Sequence, residues 1–271
     1  MNSLTFGSLF SGIGGFDLGF ERAGFQCRWQ VEIDDYATQI LEKHWPQVHR
    51  YRDVRECNAS NLERVDCIIG GFPCQDISYA GRGAGLDGQR SGLFFEAVRL
   101  VRELQPRAIV LENVAALLTR GLDRVLGTLA EIGYDAEWHC IPAAAVGAPH
   151  IRDRVFVLGY ANSSGGASRK SPRKASRHRL PASTASVDAS SMADTQGFHG
   201  QGFYDGSRKV ESWRSSWWEL EPGMGRVAHG IPSRVDRLKC LGNAIVPQVA
   251  QVVANLAKTQ LLKEQHPTAV P

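Results

Sequence analysis

The cysteine at position 74 is the residue with the most distinctive chemistry in this chain. It follows Gly70-Gly71-Phe72-Pro73, which comes directly after the apolar run Val65–Ile69. A buried strand that ends in such a turn delivers the next residues to the carboxyl edge of an α/β sheet, where ligands bind. A thiolate at that edge could act as a nucleophile. The alternative is a small buried hydrophobic residue, which is the common state of a single cysteine.

A carboxylate follows another apolar strand in the same way. Glu112 and Asn113 come directly after the run Ala108–Leu111. A carboxyl group at this edge could hydrogen-bond to a heteroatom of a bound base or protonate it. The alternative is a helix start, in which Asn113 caps the helix and Glu112 lies near the positive end of its dipole.

Two arginines precede a third strand, Val155–Tyr160. Because side chains alternate along a strand, Arg152 and Arg154 are expected on one face and Asp153 on the other. Two guanidinium groups at one edge suit an anionic or carbonyl-bearing substrate. Structural ion pairs with Asp or Glu are the alternative interpretation.

A glycine-rich turn, Phe10-Ser11-Gly12-Ile13-Gly14-Gly15, lies between the first predicted strand and helix. Such turns let a ligand approach the backbone, and an acidic residue about 20 positions later can bind ribose hydroxyls. Glu32 satisfies this spacing, at the end of the second strand. Asp17 stands where the dinucleotide fingerprint has its third glycine, which favours a nucleoside ligand without a pyrophosphate. A tight turn with no ligand is the alternative.

Strands and helices must alternate along residues 4–160 to position these segments. This alternation predicts a parallel α/β sheet. The predicted strands are Leu4–Phe10, Cys27–Val31, Val65–Gly70, Ala108–Leu111 and Val155–Tyr160. The glycine turn leads into a helix with Phe16, Phe20 and Ala23 on one face. Further helices are predicted at Asp34–Trp45, Leu93–Leu104, Leu122–Ile132 and Pro247–Lys263.

Composition excludes several classes of protein. The 271 residues are 43% hydrophobic and 22% charged, as in soluble globular proteins. No apolar run reaches the ~20 residues of a membrane span, and the first residues do not resemble a secretory signal. The six cysteines form no Cys-x-x-Cys pair. We therefore expect a reduced, metal-free, cytoplasmic protein.

The positive charge is concentrated in one internal stretch. Residues 161–238 contain 12 of the 31 Lys and Arg residues but 7 of the 28 Asp and Glu residues, so the rest of the chain has a slight negative excess. This asymmetry indicates a polyanionic partner such as nucleic acid. Within the stretch, residues 162–191 are rich in Ser, Ala, Arg and Lys and predict a mobile basic segment.

Taken together, the segments resemble the cytosine-C5 DNA methyltransferases. The glycine turn is similar to the family's S-adenosylmethionine turn, and Pro73-Cys74 to its Pro-Cys motif. Glu112-Asn113-Val114 resembles the Glu-Asn-Val motif and Arg152-Asp153-Arg154 the Arg-x-Arg motif. Gly242-Asn243-Ala244-Ile245-Val246-Pro247 is similar to the C-terminal Gly-Asn-x-x-x-Pro motif. Five motifs in the family's order cover residues 4–160 and about 237–260.

The resemblance implies a Rossmann-like S-adenosylmethionine methyltransferase sheet with helices on both faces and a small irregular target-recognition domain. The catalytic domain would comprise residues 1–160 and 239–271, and the recognition domain residues 161–238. The catalytic residues would be Cys74, Glu112, Arg152 and Arg154. The residues that bind S-adenosylmethionine would be Phe10, Gly12, Gly14, Glu32, Ile33, Asp53, Asn243 and Val246.

The implied reaction is methyl transfer from S-adenosylmethionine to C5 of a flipped cytosine, through an adduct between Cys74 and C6. The expected partner is double-stranded DNA, and the expected enzyme is a metal-free monomer of a bacterial or phage-infected cytoplasm. It would be sequence-specific, as in restriction-modification or phage self-protection. The alternatives are a transfer-RNA cytosine-C5 methyltransferase, a catalytically silent nucleic-acid-binding homologue and, because the third glycine is missing, a disfavoured nucleotide-dependent oxidoreductase.

Overall fold

The computed structural model describes residues 3–73, 92–162 and 233–265. Seven strands and six α-helices occur in these ranges. The strands are β1 (Thr5–Leu9), β2 (Gln26–Val31), β3 (His49–Tyr51), β4 (Cys67–Gly71), β5 (Ala108–Val114), β6 (Tyr134–Pro142) and β7 (Asp153–Ala161). The helices are α1 (Gly15–Arg22), α2 (Asp35–His44), α3 (Gly92–Leu104), α4 (Leu122–Glu131), α5 (Arg234–Asn243) and α6 (Pro247–Gln265).

The strands form one mixed sheet in the order β3-β2-β1-β4-β5-β7-β6. The first five strands of this order pair in parallel, as the alternating pattern predicts. β7, however, pairs antiparallel with both β5 and β6. The sheet is therefore mixed rather than wholly parallel, and the prediction of an α/β sheet with helices is confirmed. β3, β6 and α5 are elements that the sequence did not predict.

An aromatic cluster holds α1 against the sheet. Phe16 and Phe20 of α1, and Ala23 directly after it, are buried, as predicted. The ring of Phe20 lies 5.5 Å from that of Phe6 in β1 and 5.0 Å from that of Phe25. These contacts fix the position of the glycine turn that precedes the helix, because α1 begins at Gly15.

The last helix, α6, packs directly on α1. A Cβ at Gly19 would lie 2.3 Å from the Cβ of Ala250, so only glycine permits this separation of the two helices. By length and composition, Val235–Lys263 could span a membrane, contrary to the sequence-based expectation. The segment is broken between α5 and α6, however, and Val249, Val253 and Leu261 are buried in the core. This burial identifies α6 as a core helix of the sheet domain.

Three predictions concern residues outside the described ranges. They are the position of Cys74, the basic segment over residues 162–191, and the target-recognition domain over residues 161–238, of which residues 163–232 lie outside the described ranges. The predicted boundaries do not fall between elements. β7 extends one residue past the first boundary, to Ala161, and α5 spans the second boundary, between residues 238 and 239. The division of the chain into these two domains stays a prediction.

Candidate active site

A cleft of about 600 Å³ opens at the carboxyl ends of β1, β2, β4 and β5. This is the edge at which open α/β sheets bind ligands, and the volume is in the range of small-molecule sites. Eight of the predicted site residues line the cleft: Phe10, Gly12, Glu32, Ile33, Asp53, Glu112, Arg154 and Asn243. The structure thus brings together residues that are up to 233 positions apart in the sequence.

The glycine turn exposes its backbone to one end of the cleft. Gly12 has a φ of 55°, and a Cβ added there would have no heavy atom within 4 Å. Phe10 also has a positive φ, 54°, which is rare for a residue with a side chain and is found at sites under functional constraint. The turn therefore offers peptide groups that a ligand could approach closely.

Glu32 lies at the end of β2 with its carboxylate held by two backbone amides. Gly12 N donates to Glu32 Oε2 at 2.7 Å, and Asp34 N donates to Glu32 Oε1 at 2.8 Å. Each carboxylate oxygen can accept a further hydrogen bond. The carboxylate is thus positioned beside the glycine turn with capacity for two hydroxyl groups, as the predicted ribose contact requires.

Ile33 and Asp53 provide an apolar and a polar surface next to Glu32. Ile33 is 63% exposed, an unusual state for a large aliphatic side chain in the wall of a cleft. Asp53 begins a short 3₁₀ helix, Val54–Glu56, and its Oδ1 accepts from Arg55 N at 3.0 Å. These surfaces suit an adenine ring and its amine, so the residues present fit an adenosine-containing cofactor.

Two predicted cofactor residues do not line the cleft. Gly14 has a φ of 82°, and a Cβ there would lie 2.4 Å from the ring of Trp45. It permits the packing behind the turn. Val246 is half-buried, and its carbonyl accepts from Ala250 N at the start of α6. The contact of both residues with a ligand stays a prediction.

At the other end of the cleft, Glu112 forms a buried ion pair with Arg154. The distance from Arg154 Nε to Glu112 Oε1 is 2.8 Å, and Glu112 is only 8% exposed. Burial raises the pKa of the Glu112 carboxyl to about 7, although Arg154 and then Arg152 act to lower it. A carboxyl group with such a pKa can donate or accept a proton at neutral pH.

The strand that leads to Cys74 ends beside this pair. Gly71 of β4 is paired with Glu112 of β5, and a Cβ at Gly71 would lie 2.8 Å from Glu112 Oε2. Asn113 Nδ2 donates to the carbonyl of Phe72 at 3.2 Å, so it anchors the turn rather than capping a helix. Pro73 lines the cleft. The chain therefore enters residue 74 from the wall that holds Glu112.

Arg152 occupies a different position from Arg154. β7 begins at Asp153, and Arg152 precedes it with a φ of 42°, so strand alternation does not orient its side chain. Its guanidinium group donates to the carbonyls of Gly242, at 2.7 Å, and Ala244. Among the described residues, it is absent from the cleft lining, whereas Arg154 is present. The predicted contact of Arg152 with the base is not tested by this geometry.

A buried polar network beneath the glycine turn is the main feature that sequence reasoning missed. Asp17 is fully buried and accepts from Ser8 Oγ at 3.1 Å and from Gln30 Nε2 at 2.9 Å. Ser11 Oγ donates to Ser8 Oγ at 2.9 Å, which joins the network to the turn. Burial raises the pKa of the Asp17 carboxyl to about 6. No regular spacing connects these residues, so their association appears only in three dimensions.

Most of the described cysteines are core residues, as expected. Cys27, Cys57, Cys67 and Cys240 are buried, and Cys140 is exposed. Burial raises the pKa of the Cys57 thiol to about 11 and keeps those of Cys27 and Cys67 above the usual range, which disfavours the reactive thiolate. Within residues 3–73, 92–162 and 233–265, no cluster of metal-ligating side chains occurs. The metal-free expectation stays a prediction.

A family model described as C-5 cytosine-specific DNA methylase matches residues 4–222. The chain is similar to Type II methyltransferase M.FnuDI of Fusobacterium nucleatum, with 37% identity over 157 residues, 56% of this chain and 46% of the relative. It is also similar to Type II methyltransferase M.NgoBI of Neisseria gonorrhoeae, with 35% identity over 159 residues, 57% of this chain and 50% of the relative. The chain thus spans about half the length of the curated relatives it matches.

Solved structures have the same fold. A putative DNA modification methyltransferase encoded within a prophage of E. coli has a TM-score of 0.50 and 33% identity, over 59% of this chain and 47% of the other. Spodoptera frugiperda DNMT2 has a TM-score of 0.51 and 20% identity, over 63% of this chain and 54% of the other. The second likeness concerns the fold alone.

Proposed function

The chain belongs to the C-5 cytosine-specific DNA methylases, and we propose that it transfers a methyl group from S-adenosylmethionine to C5 of cytosine in double-stranded DNA. The observation that supports this most strongly is the buried Glu112–Arg154 pair at the end of the cleft where the chain enters residue 74. The other end of the cleft carries the glycine turn and Glu32, which suit a nucleoside cofactor. Methyl donor and base would therefore occupy one continuous cavity.

The cofactor would be held by the residues of the adenosine end. The Glu32 carboxylate would accept from the ribose hydroxyls, Ile33 would pack on the adenine and Asp53 would accept from its amine. The backbone at Phe10 and Gly12 would contact the methionine part, and Asn243 would close the site from the C-terminal segment. When bound, S-adenosylmethionine supplies an electrophilic methyl group.

Cys74 would begin the reaction on cytosine. Its thiolate would form a bond to C6, and the C5–C6 double bond would open so that C5 carries the electron pair that accepts the methyl group. Loss of the C5 proton would then restore the double bond and break the bond from sulfur to C6, which regenerates Cys74. Because C6 is hidden in stacked DNA, the base must leave the duplex before this step.

Glu112 and Arg154 would prepare the ring for this attack. A protonated Glu112 can donate to N3 of cytosine and accept from the exocyclic amine, which withdraws electrons from C6. Its pKa of about 7 leaves a substantial protonated fraction at neutral pH. Arg154, 2.8 Å from the carboxyl group, keeps that group oriented in the cleft.

We further propose that methylation is sequence-specific, in a restriction-modification system or in the self-protection of a phage. The relatives are named Type II methyltransferases, and the prophage protein is named a DNA modification methyltransferase. The enzyme would act as a cytoplasmic monomer without a metal, and the basic stretch over residues 161–238 would contact the DNA backbone.

Radiolabelled S-adenosylmethionine tests the function with duplex DNA and with transfer RNA as acceptors. Wild-type protein should label C5 of cytosine in DNA, and Cys74→Ser should lower the rate by about 10³-fold or more. Cys140→Ser is the matched control, because Cys140 is an exposed cysteine outside the cleft lining. Label in RNA but not in DNA would support the transfer-RNA alternative, and equal activity of Cys74→Ser would contradict the mechanism.

A further inference from the structure

The segment Arg237–Ile245 forms part of the cleft wall but has little apolar packing of its own along α5. Lys239, Cys240 and the residues from Asn243 to Ile245 line the cleft. Along α5, Leu238 and Leu241 are 60% and 64% exposed, so hydrophobic burial contributes little to holding this helix. Polar contacts on its two sides therefore add to the burial of Cys240 and Ile245 in holding the segment in place.

The first contact joins α5 to the adenosine end of the cleft. Lys239 Nζ lies 2.6 Å from Asp34 Oδ2. Asp34 also accepts from Ala37 N through Oδ1, which caps α2, and its own N–H donates to Glu32. Lys239 is thus connected through Asp34 to the Glu32 carboxylate, which we assign to the ribose. Arg237 Nε adds a hydrogen bond to the Tyr36 hydroxyl at 3.2 Å.

The second contact joins the end of α5 to the base end of the cleft. The Arg152 guanidinium donates to two carbonyls at the C-terminal end of α5, those of Gly242 in its last turn and Ala244 directly after it. Arg152 is held at a φ of 42°, a conformation that costs free energy and that persists where surrounding contacts impose it. Two residues further along the chain, Arg154 pairs with Glu112.

We propose that Lys239 and Arg152 are positioning residues that hold segment 237–245 closed over the bound cofactor, so that cofactor release requires both contacts to open. The inference rests on the proposed function. It assigns Arg152 to segment 237–245, whose carbonyls it binds, rather than to the base. The two residues act through the segment and through Asn243 and Ile245, which line the cleft.

The Lys239 contact is tested by calorimetric binding of S-adenosylhomocysteine at 50 mM and 500 mM NaCl. Lys239→Met should weaken binding about three- to fivefold at low salt and leave it near the wild-type value at high salt, because exposed ion pairs are weak and are screened. Asp34→Asn keeps a residue that caps helices well and should give the same loss. The double variant should bind S-adenosylhomocysteine no more weakly than either single variant, because both changes remove the same interaction.

Lys43→Met is the matched control, because Lys43 is an exposed lysine in the last turn of α2. It should bind as wild type does at both salt concentrations. Unchanged affinity of Lys239→Met at 50 mM NaCl would overturn the proposed role of Lys239. Additive losses in the double variant would also overturn it, since they would show two independent effects.

The Arg152 contact is tested with Arg152→Met and Arg152→Lys. Arg152→Met should weaken binding of S-adenosylhomocysteine about tenfold or more and accelerate its release in stopped-flow measurements, with a larger change in cofactor affinity than in kcat. Arg152→Lys should recover part of the affinity. A drop in kcat with unchanged affinity would overturn the proposal and support a contact between Arg152 and the base.

The outcomes separate this inference from the proposed function. If the wild-type protein binds S-adenosylhomocysteine and the variants bind equally well, the inference fails while the proposed function stands. If the wild-type protein binds no S-adenosylhomocysteine, the proposed function fails and the inference fails with it.

Discussion

Replacing Glu112 with Gln should change how the stability of the protein depends on pH. The Glu112 carboxyl is buried beside Arg154, and burial raises its pKa from 4.5 to about 7. Folding therefore favours the protonated form of this group. The stability that protonation contributes is fully present below pH 4.5 and is lost as pH rises from 4.5 through 7.

The size of the effect follows from the difference between the two pKa values. A difference of about 2.5 units corresponds to a free energy of about 3 kcal/mol, and about 2 to 3 kcal/mol of it falls between pH 5 and pH 8. Gln cannot ionise, so the Glu112→Gln variant lacks this loss. Relative to wild type, its free energy of unfolding should rise by that amount between pH 5 and pH 8.

The assay is urea unfolding of both proteins at pH 5, 6, 7 and 8. Glu103→Gln is the control, because the pKa of this half-buried carboxyl is lowered by Arg99. Its contribution is present above its unfolded pKa and is lost only as pH falls below that range. Glu103→Gln should therefore run parallel to wild type from pH 5 to pH 8. A parallel curve for Glu112→Gln as well would refute the reasoning about the buried carboxyl.

Three further changes give separate tests. Gly15→Ala would put a Cβ 2.2 Å from the carbonyl oxygen of Ile245, so it should lower the free energy of thermal unfolding by about 2 to 4 kcal/mol. Gly127→Ala is the control and should be neutral or stabilising, because no heavy atom lies within 4 Å of a Cβ there. Equal costs for the two variants would contradict this packing argument. In urea unfolding, the free energy of unfolding of Asp17→Asn should rise relative to that of wild type as pH rises from 4 through 6, because burial raises the pKa of the Asp17 carboxyl to about 6. A difference between the two proteins that does not change with pH would disprove this. Deletion of the Arg- and Lys-rich run 169–179 should weaken DNA binding and reduce its salt dependence in titrations, with the methylated sequence unchanged; a changed sequence would show that the run reads bases.

The residues that meet at the glycine-turn end of the cleft could be predicted from the sequence because their signals are local. The turn around Gly12 and the spacing to Glu32 are both set by one strand, one helix and the next strand. Glu112 was predicted because it directly follows an apolar strand. Each of these positions depends on neighbours along the chain, and the parallel sheet then brings the strand ends together.

The rest depended on contacts that no local pattern encodes. β6 has an exposed, irregular burial pattern because it is an edge strand, and β3 has only three residues. The direction of β7 does not follow from its own residues. Arg152 lies before its strand at a positive φ, so the alternation argument could not place it. Asp17 marked a missing glycine in the sequence, whereas in the structure it is a buried carboxyl that binds Ser8.

The covalent role of Cys74 can be tested by trapping its adduct with the base. Duplex DNA that contains 5-fluorocytosine is incubated with the protein and S-adenosylmethionine, because fluorine at C5 blocks the final elimination. We expect a conjugate that survives denaturation, with the mass of protein plus methylated DNA and the modification on Cys74 in peptide mapping. A labelled product without such a conjugate, or a conjugate on another residue, would contradict it.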